Sequence, residues 1–148
     1  MALTYEVINN PDIVEEYIDD YLYDRLKHDG TKGIQDFIAG GHHLGFYNNG
    51  NLVGIITIAF KDGYVMAHPK FRKRHMIYAG RCCLTALVYL QGIDVKTVIL
   101  LIPDIFKANV RMALACGFKK MKESQDSTYI NNAKVGVTAY GIEIVKGD

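Results

Sequence analysis

The chain has 148 residues, of which 49% are hydrophobic and 22% are charged, and its formal net charge at pH 7 is +1. These values are typical of one globular domain with a real core, and they exclude a disordered or low-complexity chain. The near-neutral charge argues against a general attraction to nucleic acid or to acidic membranes.

Targeting signals and cysteines favour an intracellular protein. The N-terminus lacks a basic region followed by an apolar run, so no secretory signal is predicted. No apolar stretch is long enough to cross a bilayer. The three cysteines, Cys82, Cys83 and Cys116, have no CxxC spacing and predict buried thiols in a reducing compartment. We therefore expect a soluble, cytoplasmic protein without a membrane partner.

The charge is distributed unevenly along the chain. Between Met1 and Gly30 there are eight acidic residues against two basic ones, whereas Lys61 to Arg81 contains six basic residues against one acid. Such polarity suits docking onto a charged partner protein. Two solvated faces that contact nothing explain it equally well, and the pattern alone does not decide between them.

The first predicted elements are a strand, a helical pair and a hairpin. Alternation predicts a strand over Leu3–Ile8. The Asn10-Pro11-Asp12 start combines a capping residue, a first-turn proline and an acid, and a helical stripe follows it up to Gly30. A short second helix is predicted over Gly33–Ala39. Leu44–Tyr47 then pairs with Leu52–Phe60 across an Asn-Asn-Gly-Asn turn.

The second half alternates strands with helices. Tyr64–Ala67 is predicted as a strand that His68-Pro69 ends, and a long helix follows over about Phe71–Gln91. Gly80 costs this helix stability, so we expect the helix to lie close against the sheet there. The predicted inner stripe is Met76, Ile77, Gly80, Cys83, Leu84, Leu87 and Val88. The remaining predicted elements are a central strand over Thr97–Ile102, a helix over Asp104–Cys116 and strands over Phe118–Glu123 and Val137–Val145.

This order, β-α-α-β-β-β-α-β-α-β-β, resembles the GNAT (GCN5-related N-acetyltransferase-like) superfamily over nearly the whole chain. Asn51-Leu52-Val53-Gly54 is similar to the family's turn and third strand. Tyr64 to Arg72 is similar to its fourth strand and cofactor loop, and Gly117-Phe118 to the signature after its fourth helix. The resemblance implies a single α/β domain over residues 1–148. Its sheet would be mixed, mostly antiparallel and twisted, with about seven strands flanked by about four helices.

The cofactor loop departs from the family pattern Arg/Gln-x-x-Gly-x-Gly/Ala. In the family, small residues let the pyrophosphate of acetyl-CoA approach the amides at a helix N-terminus. Here Arg72 fits the first position and Lys73 and Arg74 add charge, but His75 and Ile77 replace the two small residues. The resemblance therefore implies that these five residues form a degenerate acetyl-CoA loop with weak binding or none.

Other candidate chemistry is sparse. Ala113 stands where many family members carry a proton-donating tyrosine, and the predicted strands Tyr64–Ala67 and Thr97–Ile102 contain no acid. We predict no catalytic residue, although glutamates elsewhere stay open because the family uses varied bases. His42 and His43 are adjacent on a strand, so their side chains point to opposite faces and no metal site is predicted.

Three functional hypotheses follow. The loop and the acidic, tyrosine-rich first helix resemble small GNAT-like proteins of short-tailed bacteriophages. The first hypothesis is therefore a non-enzymatic, cofactor-free head-assembly or virion morphogenesis protein that binds other virion proteins in the host cytoplasm or the virion. The alternative is a divergent N-acetyltransferase that uses acetyl-CoA. A third hypothesis, a nucleic-acid module, rests only on the short basic run from Lys70 to His75. The oligomeric state is left open.

Overall fold

The computed structural model describes residues 3–17, 41–121, 127–130 and 133–144. The predicted helix beyond residue 17 and the predicted helix Gly33–Ala39 lie outside these residues. The strands are β1 (Leu3–Val7), β2 (His42–Asn48), β3 (Asn51–Phe60), β4 (Tyr64–Lys70), β5 (Thr97–Pro103), β6 (Lys119–Lys120), β7 (Ser127–Ile130) and β8 (Ala133–Glu143).

The helical elements alternate with these strands. Residues 11–17 form α1. A 3-10 helix (Lys73–Tyr78) leads into α2 (Ala79–Gln91), and α3 (Lys107–Ala115) follows β5. No described residue belongs to a helix long and apolar enough to span a membrane.

One mixed sheet organises the fold. Its strand order is β1-β2-β3-β4-β5-β8-β6, with β7 paired to β8. The pair β4–β5 is parallel, and the other pairings of the described strands are antiparallel. The predicted fold class, a mixed and mostly antiparallel α/β sheet flanked by helices, is therefore confirmed.

The β2–β3 hairpin forms where the sequence predicts it. Asn49 and Gly50 both have positive φ, 52° and 81°. Two consecutive residues with positive φ are what a tight hairpin turn requires, and asparagine and glycine adopt that conformation at least cost. This turn places Asn48 and Asn51 side by side at one end of the sheet.

The predicted inner stripe of the long helix is wrong at three positions, whereas Cys83 is buried and Met76 and Leu87 pack against the core. Ile77, Leu84 and Val88 are 80%, 53% and 66% exposed. One reason is that residues 73–78 form a 3-10 helix with three residues per turn, so an α-helical stripe cannot run through them. Another is that α2 turns mainly its smaller side chains toward the core. The buried residues of α2 are Ala79, Cys82, Cys83, Ala86 and Leu90.

Gly80 does not mark a close approach to the sheet. A Cβ atom built there meets no heavy atom within 4 Å. The close approach lies instead at Gly54 in β3, where a Cβ atom would lie 2.1 Å from Cε1 of Phe71. The ring of Phe71 thus fills the space above Gly54 and fixes the chain just after β4.

The helix predicted from Asp104 begins three residues later. Asp104 does not cap it, because its carboxylate accepts a hydrogen bond from the Thr138 hydroxyl and its amide donates to Gly136 O at 2.9 Å. Asp104 thereby ties the end of β5 to β8. Of the described residues in the predicted strand Phe118–Glu123, Lys119–Lys120 form β6, and β8 begins earlier than predicted.

We predict opposite effects for two glycine substitutions. Gly54→Ala should lower the free energy of unfolding by about 1–3 kcal/mol, because Phe71 is 3% exposed and has no room to move. Gly80→Ala should raise it by about 0.5–1 kcal/mol, because the site is open and helical. Denaturant unfolding of both variants measures this, and a loss of stability in Gly80→Ala would contradict the packing described.

Candidate functional site

The sheet opens between the carboxyl ends of β4 and β5. Their parallel pairing runs from Tyr64–Thr97 to Ala67–Leu100 and goes no further. Beyond that point β4 continues along β3, with Lys70 opposite Ile55, and β5 continues along β8 to Pro103. Strands that part leave backbone groups available to a ligand. We call this opening the β4–β5 split.

A row of polar side chains crosses one face of the sheet and ends at the split. The pairing places His43, Thr57 and His68 opposite one another on β2, β3 and β4. His43 and Thr57 are 5% and 1% exposed, and Nδ1 of His43 lies 2.8 Å from Oγ1 of Thr57. A buried polar pair of this kind is stable because each side chain provides the hydrogen-bond partner of the other.

His68 is the titratable end of this row. Burial, followed by the positive charges of Lys70 and Lys61, lowers the pKa of His68 to about 4. Burial also lowers the pKa of Lys70, two residues along the same strand, to about 8. At neutral pH the His68 imidazole is therefore neutral and can accept a proton.

The 3-10 helix after β4 sorts its side chains by threes. Arg72, just before it, lies on the same face as His75 and Tyr78, and this face is turned toward α1 and the β2–β3 turn. Ile77 is largely exposed, whereas Met76 packs against the core. Arg72, His75 and Tyr78 thus recur every three residues, and a prediction of a continuous α-helix does not reveal that they share a face.

The hydroxyl of Tyr17 holds this face in place. It accepts the backbone N–H of Arg72 at 3.1 Å and lies 3.1 Å from Nδ1 of His75. Because an amide only donates, the hydroxyl proton is left for Nδ1 of a neutral His75. Burial, followed by the charges of Arg74 and Arg72, lowers the pKa of His75 and favours that neutral form.

Tyr17 is itself enclosed by these partners. Its ring stacks on His75 at 6.1 Å between centroids, and the Arg72 guanidinium carbon lies 4.4 Å from the ring centre. Burial raises the pKa of Tyr17 to about 12. The guanidinium also donates to the carbonyl oxygen of Glu16 at 3.4 Å. The acidic first helix and the basic stretch, predicted as separate surfaces, therefore meet here.

A cleft of about 660 Å³ lies between α1, the β2–β3 turn and the 3-10 helix. We call it the α1 cleft. Four of the five predicted cofactor-loop residues, Arg72, Arg74, His75 and Ile77, line it, and the side chain of Lys73 is outside the description. The cleft residues that sequence reasoning missed are Tyr17, Asn48, Asn51 and Tyr78.

Nothing in the spacing along the chain joins these missed residues, because Tyr17 is 58 positions from His75. The same holds for His68, which the sequence presented only as the residue that ends a strand. The Asn-Gly turn was the one available signal, since it fixes where Asn48 and Asn51 meet. Ala113 is fully buried in the core on α3. Its methyl group cannot donate the proton that a tyrosine supplies at this position in many members of the family.

Among the described residues, His42 and the three cysteines pack within the fold. Nε2 of His42 lies 2.9 Å from the Tyr89 hydroxyl on α2, and His43 faces the other side of the sheet, as predicted. Cys82 and Cys83 are buried and Cys116 is half-buried, all as free thiols. Within the described ranges, no three His, Cys, Asp or Glu side chains cluster in a way that could hold a metal.

Comparison with solved structures identifies the fold. Spermidine N-acetyltransferase from Vibrio cholerae, solved with CoA and spermine, matches with a TM-score of 0.76 at 15% identity, over 97% of this chain and 96% of that one. An acetyltransferase from Bacillus subtilis, solved with CoA, gives 0.76 at 12%, over 97% and 100%. A probable acetyltransferase from Staphylococcus epidermidis gives 0.76 at 10%, over 97% and 100%.

The chain therefore has the fold of the GNAT N-acetyltransferases. No protein-family profile matches it, and no curated protein is significantly similar to it in sequence. At identities this low the structural likeness fixes the fold, and the chemistry has to be argued from the residues of this chain.

We predict that Tyr17→Phe destabilises the chain. The substitution removes the acceptor of the Arg72 amide and the partner of His75, so the free energy of unfolding should fall by about 1–3 kcal/mol. The matched control is Tyr5→Phe, because Tyr5 is 46% exposed and keeps its ring contacts with Phe46 and Tyr89. Chemical denaturation compares the two, and equal stabilities would contradict the role given to the Tyr17 hydroxyl.

We also predict a pH dependence that originates at His68. Its pKa of about 4 in the folded chain is below the ordinary value of 6.5. Between these values the unfolded chain binds a proton that the folded chain does not, so stability falls as the pH drops through this window. In His68→Gln the fall should be shallower, and identical slopes in urea titrations at several pH values would contradict the assignment.

Proposed function

We propose that this protein is a divergent N-acyltransferase that uses acetyl-CoA or a similar acyl-CoA. The observation that carries the proposal is the parallel β4–β5 pair, which ends at Ala67 and Leu100 and is followed directly by a basic helical segment. Two of the solved structures with this fold were determined with CoA. The likeness supports an acyl donor of the same chemical class.

The residues of the loop are compatible with such a donor in a modified way. His75 and Ile77 replace the small residues of the family pattern, yet neither side chain is directed at the split. His75 is held against Tyr17 on the β3 side of β4, and Ile77 is 80% exposed. Arg74 is exposed and brings positive charge to the segment. In this proposal, side-chain charge compensates for part of the lost backbone approach.

The proton chemistry would fall to His68. Acetyl-CoA supplies the acyl group as an activated thioester. His68 lies at the split and is neutral at neutral pH, so it can take the proton that an amine gives up as the amide forms and the thiolate leaves. Thr57 and His43 continue the polar row behind it. Ala113 provides no hydroxyl, so protonation of the thiolate would fall to another group or to water.

A second candidate is a binding protein that has lost catalysis. The replacement of both small loop residues and the alanine at position 113 favour it. The comparisons give no support to a role in bacteriophage head assembly, and that part of the first hypothesis gains nothing from the structure.

Ligand-dependent stabilisation separates the two candidates. CoA at 100 times its dissociation constant should raise the free energy of unfolding by about 2.7 kcal/mol if it binds only the folded chain. Arg74→Glu should reduce the shift, because it reverses a charge on the segment, and Lys119→Glu, on β6, is the neutral control. No saturable shift in the wild type would overturn the acyltransferase proposal.

The role of His68 has its own test. A panel of primary amines that includes spermidine, the substrate named for the Vibrio cholerae neighbour, is supplied with acetyl-CoA. We expect His68→Gln to lower kcat by about 10²–10⁴ while the CoA-induced shift in stability is unchanged, because the imidazole acts on the proton and not on the cofactor. An unchanged kcat would exclude His68 as the base.

A further inference from the structure

We infer that the α1 cleft is a binding site of its own, separate from the β4–β5 split, for a small molecule that carries a phosphate group on a planar or apolar body. β4 has β5 on one side and β3 on the other. The split opens on the β5 side, whereas the cleft is walled by α1 and the start of β3. The two spaces therefore flank the end of β4 from opposite sides.

The charge of the cleft selects an anion. Among the described residues that line it, Arg72 and Arg74 are the cations and Glu16 is the one acid. Arg72 is held in a fixed orientation by the Tyr17 ring and by the Glu16 carbonyl, so little side-chain entropy is left to lose on binding. Two arginines suit a phosphate dianion better than a single carboxylate, because their planar donors match phosphate oxygens.

The rest of the cleft suits an organic body. Its volume of about 660 Å³ lies within the range of small-molecule sites, roughly 300–1,000 Å³. Ile13, Leu52 and Val53 supply apolar wall, and the Tyr17 and Tyr78 rings supply aromatic surface. A bare phosphate ion would leave these surfaces uncovered, so a ligand with a planar or apolar body gains additional burial.

Asn48, which also lines the α1 cleft, has a side-chain oxygen that can accept a hydrogen bond from a ligand. Its Nδ2 donates to the Tyr78 hydroxyl at 3.0 Å, while its buried Oδ1 has no hydrogen-bond partner among the described residues. A buried acceptor left in this state is costly. A donor on the ligand that reaches this end of the cleft would relieve the cost.

Phenyl phosphate is the probe that tests this inference, with inorganic phosphate and benzoate as the two partial probes. We expect saturable shifts of the backbone amide resonances of Asn51 and Arg74, and tighter binding of phenyl phosphate than of either partial probe. Arg74→Gln, which removes a charge-assisted hydrogen bond, and Asn51→Asp, which adds a repulsive negative charge at the β2–β3 turn, should each weaken binding about tenfold.

The control variant is Lys119→Gln, because Lys119 lies on β6 in a different groove, and it should bind like the wild type. Equal affinity for benzoate, an unchanged affinity in Asn51→Asp, or no saturable shift at Asn51 would overturn the inference. CoA binding to Asn51→Asp provides the separation from the acyltransferase proposal. The affinity of Asn51→Asp for CoA should equal that of the wild type if CoA binds at the split. If no variant binds CoA, the result counts against the acyltransferase proposal alone.

Discussion

The hydroxyl of Tyr17 is the contact on which the functional end of this molecule depends. It joins α1 to the chain that leaves β4, because it accepts the Arg72 amide and pairs with Nδ1 of His75. A backbone N–H that leaves the end of a strand needs a hydrogen-bond acceptor. If it is buried without one, the folded state loses stability. Here a side chain 55 positions away in sequence supplies the acceptor. The fixed amide sets where the 3-10 helix begins, and so which of its side chains face the α1 cleft.

The three-residue repeat of that helix has consequences for both packing and chemistry. It turns His75 inward toward Tyr17 and leaves Ile77 in solvent. It also resets the phase of α2, so that Ala79 and Cys82 meet the sheet instead of Ile77 and Leu84. Small side chains there allow a close approach, and dispersion contacts increase as the helix comes nearer. One local change of helix type therefore accounts for an exposed apolar stripe and for the orientation of the side chains that follow β4.

Much of the fold could be predicted from the sequence because its signals are local. The Asn-Gly turn requires positive φ, the apolar run of β5 requires cover, and Gly117 with a φ of 98° ends α3 as expected. The site could be predicted only in part. The sequence identified Arg72, Arg74, His75 and Ile77 as one group, since they are neighbours along the chain. It did not reveal Tyr17 or His68, because their roles arise from strand register and from contacts between distant segments. A three-residue helical repeat is also invisible to a search for α-helical periodicity.

His75 and Ile77 replace the two small residues of the family's phosphate loop, and the effect of these replacements depends on where their side chains lie. The glycines of the family pattern matter where backbone amides must touch the pyrophosphate. In this chain the corresponding side chains line the α1 cleft, which we propose as a separate binding site. If both proposals hold, the segment from Arg72 to Tyr78 lies between two ligand sites, and the Tyr17 hydroxyl holds it on the α1 side. Coupling between two sites is reciprocal in free energy. Any coupling between the two proposed sites, carried by the segment that the Tyr17 hydroxyl holds, would therefore act in both directions.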